Sequence, residues 1–72
     1  MLKKIAIFGA GFYGMNAYLR LRDYFDIVCF IDNNPALVGK YLYHIPICSG
    51  NMIHDICGDD TDIFVCSKNI LK

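Results

Sequence analysis

The chain has 72 residues, its seven basic and seven acidic side chains cancel, and 56% of it is hydrophobic at a mean hydropathy of +0.36. That content excludes intrinsic disorder, no apolar run approaches the ~18 residues of a membrane-spanning helix, and the charge balance argues against a nucleic-acid binder working through a basic field and against an acidic tail. The length is that of one small domain, a size that often leans on disulfides, metal or a partner surface for stability.

Met1-Leu2-Lys3-Lys4 followed by an apolar run resembles the start of a signal peptide, but Gly9 and Gly11 cut the run short, so a cytoplasmic protein is expected. Of the four cysteines, Cys29 and Cys66 sit inside apolar runs, and all four are expected to be reduced thiols.

In chain order, residues 3–8 (KKIAIF) form a short apolar run closed by Gly9, which favours a strand. Residues 12–24 read as an amphipathic helix of about three turns. Met15, Tyr18 and Leu19 make one apolar row, and Gly14, Tyr18, Leu21 and Phe25 a second. Residues 26–31 (DIVCFI) are apolar without alternation, as in a strand covered on both faces. Asp32-Asn33-Asn34-Pro35 ends it in a turn. Residues 36–43 are ambiguous, with Gly39 as a break. Residues 43–48 read as an extended edge segment, because Pro46 lacks the N–H a central strand needs. Residues 49–56 have room for one helical turn capped by Ser49, residues 58–61 for a turn, and residues 62–66 (DIFVC) for a third buried-type strand. No repeat, linker or low-complexity stretch is present.

The fold class expected is α/β: a Rossmann-like, three-layer βαβ arrangement on a small parallel sheet, a single nucleotide-binding domain over residues 1–72 that is incomplete as a Rossmann half. One long helix covers one face, so the other face is expected to stay open and to call for a second copy or a further domain.

Gly9-Ala10-Gly11-Phe12-Tyr13-Gly14 fits G-x-G-x-x-G between an expected strand and an expected helix. In that pattern Gly9 makes the tight turn, Gly11 lets a diphosphate approach the backbone, and Gly14 lets the helix pack close. The helix N-terminus offers free N–H groups and the positive end of its dipole. Asp32 follows at about the 20-residue distance at which such sites place an acid against the ribose hydroxyls. Phe12, Tyr13 and Asn33 flank these positions and are expected among the residues that bind the same ligand. Ser67 and Lys68, after the last strand, are expected at the same crevice, with Lys68 either on a phosphate or simply solvated. The plainer reading is that the glycines only permit close packing and Asp32 only caps a turn.

Weaker patterns carry less. Cys48, His54 and Cys57 lack a second ligand pair for zinc, so no metal is expected. His44 and His54 read as surface or turn residues. The aromatics Phe8, Phe12, Tyr13, Tyr18, Phe25 and Phe30 read as core rather than base-stacking residues. No catalytic triad or dyad is legible, and nothing in the sequence activates the Cys66 thiol. Whether these residues belong to an enzyme is left open.

The stretches GAGFYG and FIDNNPALVGKYLYHIPIC resemble the N-terminal Rossmann-like domain of bacterial sugar-modifying enzymes. That group includes sialic-acid-type sugar O-acyltransferases and the methyl- and glycosyltransferases of surface-polysaccharide synthesis. The resemblance rests on Asp32-Asn33-Asn34-Pro35, Gly39-Lys40 and His44-Ile45-Pro46-Ile47, and it spans nearly the whole chain. Phe12-Tyr13 stands where the acyltransferases carry Gly-His, His44 replaces a glycine, and no hexapeptide-repeat domain is present. The resemblance implies binding of a nucleotide sugar or of NAD(H), with catalysis elsewhere. An NAD-dependent sugar epimerase or dehydrogenase fragment and a ligand-free interaction module are the alternatives.

Overall fold

The computed structural model describes residues 2–52, 55, 58 and 60–65. They form a small α/β protein with a mixed five-stranded sheet. Strand β1 is Lys3–Phe8, helix α1 is Phe12–Leu21, and strand β2 is Phe25–Ile31. The short strands β3 (Tyr41–Leu42), β4 (Ile45–Cys48) and β5 (Asp62–Val65) follow, with one 3-10 turn at Gly50–Met52. The order across the sheet is β3-β4-β2-β1-β5. β1 pairs in parallel with β2 and with β5, and β2 pairs in parallel with β4. Only β3, antiparallel to β4, departs from the expected parallel sheet.

The helix is shorter than the expected 12–24. Residues 22–24 form the turn into β2, where the Tyr24 N–H donates to the Leu21 carbonyl at 2.9 Å. Its buried row is Gly14 and Ala17, flanked by Tyr18 and Leu21. Met15 and Leu19, expected on an apolar row, are exposed. One residue along a helix is about 100° of rotation, so a stripe centred on Gly14 and Ala17 turns Met15 and Leu19 away from the sheet.

Two apolar layers result. Ile5, Ile7, Ile27, Phe30 and Ile47 meet the helix. Ala6, Cys29, Ile31 and Cys48 are buried on the opposite face, so the second face of the central strands is not open as expected. The exposed apolar surface is instead on β5, where Ile63 is 52% and Val65 53% exposed. β5 is therefore not the buried-type strand that its apolar run suggested. It pairs only with β1 among the described residues. An exposed ion pair, Lys3 Nζ to Asp62 Oδ2 at 3.1 Å, joins β5 to β1 at one end.

β2 carries the main irregularity. Ile5 pairs with Ile27 but Ala6 pairs with Cys29, so Val28 is an extra residue, a β-bulge. Before the bulge Ile27 faces the helix; after it Phe30 does, while Ile31 faces away. Both Val28 and Cys29 fall on the far side. This is a second reason, besides burial on both faces, why the run shows no alternation.

The segment 43–48 is not an edge. β4 lies between β3 and β2, and Pro46 pairs with Tyr41. The β2–β4 ladder begins only at Phe30 and Ile47, so the N–H that Pro46 lacks falls ahead of it. Residues 36–43 resolve into a turn and β3. Asn34 opens the turn, its side chain accepting from the Ala36 N–H at 3.0 Å and its carbonyl from the Leu37 N–H at 2.9 Å. Gly39, at φ 91°, closes it.

The β3–β4 hairpin turns on Tyr43 and His44, at φ 54° and 66°. Two-residue hairpins with positive φ at both positions usually use Asn and Gly. Tyr43 is held there by stacking on Tyr18 of α1, with ring centroids 4.5 Å apart and planes 9° from parallel. His44 is exposed and has no such support. Left-handed backbone costs an ordinary residue about 1–2 kcal/mol. His44→Gly should therefore stabilise the protein by about 1 kcal/mol, a rise in Tm of roughly 4–8 °C for a domain this small. Tyr43→Gly should give no gain, because the lost stacking, about 0.5–1.5 kcal/mol, offsets the relief. Thermal unfolding of the two variants checks the contrast.

Candidate functional site

The carboxyl ends of β1, β2 and β4 meet at one end of the sheet, and the glycine loop lies there. Gly9 follows β1 at φ 116°, a conformation that only glycine adopts without strain. Its N–H donates to the Ile31 carbonyl at 2.7 Å, which ties the loop to the end of β2. Its own carbonyl rests against Gly14. A Cβ at position 14 would overlap the Gly9 carbonyl oxygen and lie 2.8 Å from its carbon. The third glycine is thus required by backbone contact within the loop.

Gly11 is the N-cap residue of α1, extended at φ −90° and ψ −150° and with no side-chain cap. A Cβ there would meet nothing within 4 Å among the described residues. The first helical bond runs from the Met15 N–H to the Gly11 carbonyl at 3.0 Å. The N–H groups from Gly11 to Gly14 find no acceptor among the described residues. The first turn carries no acidic side chain, and the last turn carries Arg20. The positive end of the helix dipole is left unneutralised beside an open backbone, the arrangement that receives anions.

Asp32 stands across the loop. Its Oδ2 accepts from the Ala10 N–H at 3.0 Å and its Oδ1 from the Asn34 N–H at 2.9 Å. Its own N–H donates to the Cys48 carbonyl at 3.0 Å, which carries the β2–β4 pairing one step further. Each carboxylate oxygen keeps a free lone pair for a further donor. Asn33 is exposed, and its Oδ1 lies 4.0 Å from where a Cβ of Gly50 would be. Residues 49 and 50 therefore border the site through the end of β4. Sequence reasoning did not find them, although small residues directly after a strand were the available signal.

Phe12 and Tyr13 are not core residues, contrary to expectation. Phe12 is 71% exposed and packs edge-on against Tyr13 at a centroid distance of 5.6 Å. Both rings flank the open first turn of α1. Of the remaining expected residues, Ser67 and Lys68 lie outside the described residues, though β5, which precedes them, ends at Val65 opposite Phe8 of β1. His54, Cys57 and Cys66 also lie outside them. Cys29 and Cys48 are buried and form no disulfide with each other, and the Cys48 thiol donates to the Phe30 carbonyl at 3.5 Å. Among the described residues no group of His, Cys, Asp and Glu could hold a metal ion, and no helix is long and apolar enough to cross a membrane.

Two clefts lie elsewhere. One of about 410 Å³ sits where β2 and β4 begin, between Tyr18, Arg22, Phe25 and Ile45. One of about 290 Å³ runs beside β5, between Ile5, Leu21 and Phe64. Neither includes a loop glycine or Asp32.

No protein-family model matches the chain, and neither a characterised protein nor a solved structure proves similar to it.

The two inner glycines should behave differently on substitution. Gly14→Ala drives a Cβ into a carbonyl oxygen that the loop cannot move without breaking the Gly9–Ile31 bond. A loss of about 3 kcal/mol, the upper end of ordinary overpacking, is expected. Gly11→Ala should stay within about 1 kcal/mol of the parent, since its Cβ points into open space. Urea unfolding of both variants measures the difference.

Proposed function

We propose that the chain is a nucleotide-binding module, a Rossmann-like half whose glycine loop takes the diphosphate of NAD(H) or of a nucleotide sugar. The observation that carries this reading is the asymmetry within the loop. Gly14 is demanded by packing, whereas nothing among the described residues demands Gly11. A glycine kept at an open helix N-terminus suits a ligand whose phosphates approach the backbone. The topology supports the same reading. From β1 the chain builds outward through β2 to β4 and then returns to the other side of β1 as β5, and ligands of open α/β sheets bind where the order reverses in this way. Asp32 is at hand for ribose hydroxyls through its free lone pairs. The resemblance to sugar-modifying enzymes supports a role beside a transferase of cell-surface sugar metabolism, with the chemistry performed outside these residues. The half-exposed Ile63 and Val65 support cover of β5 by a second copy or a further domain.

A purely structural reading has one observation in its favour: both Asp32 oxygens already hold backbone donors. The readings part at Gly11→Val. A Cβ at position 11 meets no described atom within 4 Å, so the variant should fold with an unchanged circular dichroism spectrum. On the nucleotide reading it loses at least about tenfold in affinity, or 1.4 kcal/mol, for NAD and UDP-glucose. Unchanged affinity, or no binding by the parent, overturns the nucleotide reading.

Asp32 also sets an expected preference. A 2′-phosphate about 5 Å from its carboxylate is repelled by roughly 3 kcal/mol at an effective dielectric of about 20. No arginine follows; the next residues are Asn33, Asn34 and Pro35, and the nearest downstream cation is Lys40. NAD should bind at least about tenfold more tightly than NADP. Equal affinities in a calorimetric comparison would remove Asp32 from the ribose.

A further inference from the structure

We propose that Asp32 is the positioning residue of the diphosphate loop, acting through the Ala10 N–H and not only as an acceptor for ribose hydroxyls; this role rests on the nucleotide reading above. Ala10 is buried between the first two loop glycines. Its N–H donates to Asp32 Oδ2 at 3.0 Å, its one acceptor among the described residues. The neighbouring Gly9 N–H is held by the Ile31 carbonyl at 2.7 Å. Two consecutive amides of the loop are thus fixed to two consecutive residues at the end of β2. With these two turned inward, the N–H groups of Gly11 to Gly14 find no acceptor among the described residues, and those of the exposed Gly11, Phe12 and Tyr13 are left for a ligand. The carboxylate is itself fixed on its other oxygen by the Asn34 N–H at 2.9 Å, and its backbone is fixed by the Cys48 carbonyl at 3.0 Å. The acid is therefore anchored to β4 and to its own turn before it reaches the loop.

The two roles predict opposite signs for a ligand that has phosphates but no ribose. If Asp32 served only the ribose, removing its charge would leave the affinity for inorganic pyrophosphate unchanged or raise it, since a nearby anion would be gone. If Asp32 positions the loop, Asp32→Ala leaves a buried N–H without an acceptor, the loop relaxes, and pyrophosphate affinity falls despite the lost repulsion. Asp32→Asn separates the two effects. Its amide oxygen can still accept from Ala10, while its NH2 group no longer suits the Asn34 N–H.

The test titrates the parent, Asp32→Ala and Asp32→Asn with pyrophosphate and with NAD, and follows amide hydrogen exchange at Ala10 and at Ile7 in the same samples. The expected result is a loss of about tenfold or more in pyrophosphate affinity for Asp32→Ala, and a value near the parent's for Asp32→Asn. Ala10 exchange should quicken by a similar factor in Asp32→Ala only, with Ile7 protection unchanged as the control for folding. Pyrophosphate affinity equal to or above the parent's in Asp32→Ala, with NAD binding weakened, overturns the positioning role and leaves the nucleotide reading standing. Unchanged Ala10 exchange in Asp32→Ala overturns it whatever the ligands do. A parent that binds neither pyrophosphate nor NAD removes the nucleotide reading and the positioning role with it.

Discussion

The carbonyl of Gly9 occupies the space that a side chain at position 14 would need, and much of the structure depends on that contact. It brings the start of α1 against the end of β1, closer than any residue with a Cβ would permit. The helix can then lie with Gly14 and Ala17 on the sheet, with Tyr18 and Leu21 reaching over Phe30 and its neighbours. It also sets the plane in which the loop leaves β1. A looser crossing would free the N-terminus of α1 from the ends of β2 and β4, and no common site would exist.

The second constraint is the bulge in β2. Side chains alternate along a strand, so a shift of one residue exchanges the two faces. Ile27 faces the helix, and simple alternation would have turned Ile31 to the helix and Asp32 away from it. With Val28 inserted, Phe30 takes the helix side, Ile31 the far side, and Asp32 comes round to the glycine loop. The hydrogen bond from Ala10 to Asp32 is therefore a product of an irregularity at Val28, four positions earlier. Bulges near functional sites commonly re-aim a side chain in this way.

This explains how much of the molecule was legible beforehand. β1, α1, β2 and β5 were readable because each is a local pattern: apolar runs, a helical period, and punctuation by Gly9 and by Asp32-Asn33-Asn34-Pro35. The spacing between the glycines and Asp32 was readable for the same reason. What was not readable is decided by partners distant in sequence. The bulge exists only relative to β1. β4 escapes the edge because β3, two residues long, pairs on its outer side, where Pro46 gives up nothing. The Tyr43–His44 turn contradicts the usual residues for its backbone, and it is supported by a ring on α1 that lies 25 positions earlier. The exposure of β5 follows from its place at the edge, which apolar composition does not reveal. The exposure of Phe12 and Tyr13 is not legible from composition, since an aromatic in an apolar chain is usually buried, whereas these two stand on the first turn of α1 and pack on each other.

The two ends of α1 are capped and charged differently. A helix of ten residues is short, and a side-chain cap would stabilise it by about 1 kcal/mol. This helix has glycine at the cap position, no acid in its first turn, and an arginine in its last. The Asp32 carboxylate, bonded to the loop, does not cap the helix. It turns to Ala10, one residue outside it, and to its own turn. The C-terminal end is treated differently: the Arg22 and Tyr24 N–H groups close back onto the Tyr18 and Leu21 carbonyls at 2.9 Å. Stability has been gathered at that end and at the Tyr18–Tyr43 stack, and left uncollected at the first turn, where the N–H groups of Gly11 to Gly14 find no acceptor among the described residues. A helix that served only to cover the sheet would gain from a serine or aspartate at position 11, and the open space there would accept one. The uncapped glycine is the local inconsistency in an otherwise consistent sequence, and such inconsistencies are expected where a protein binds something.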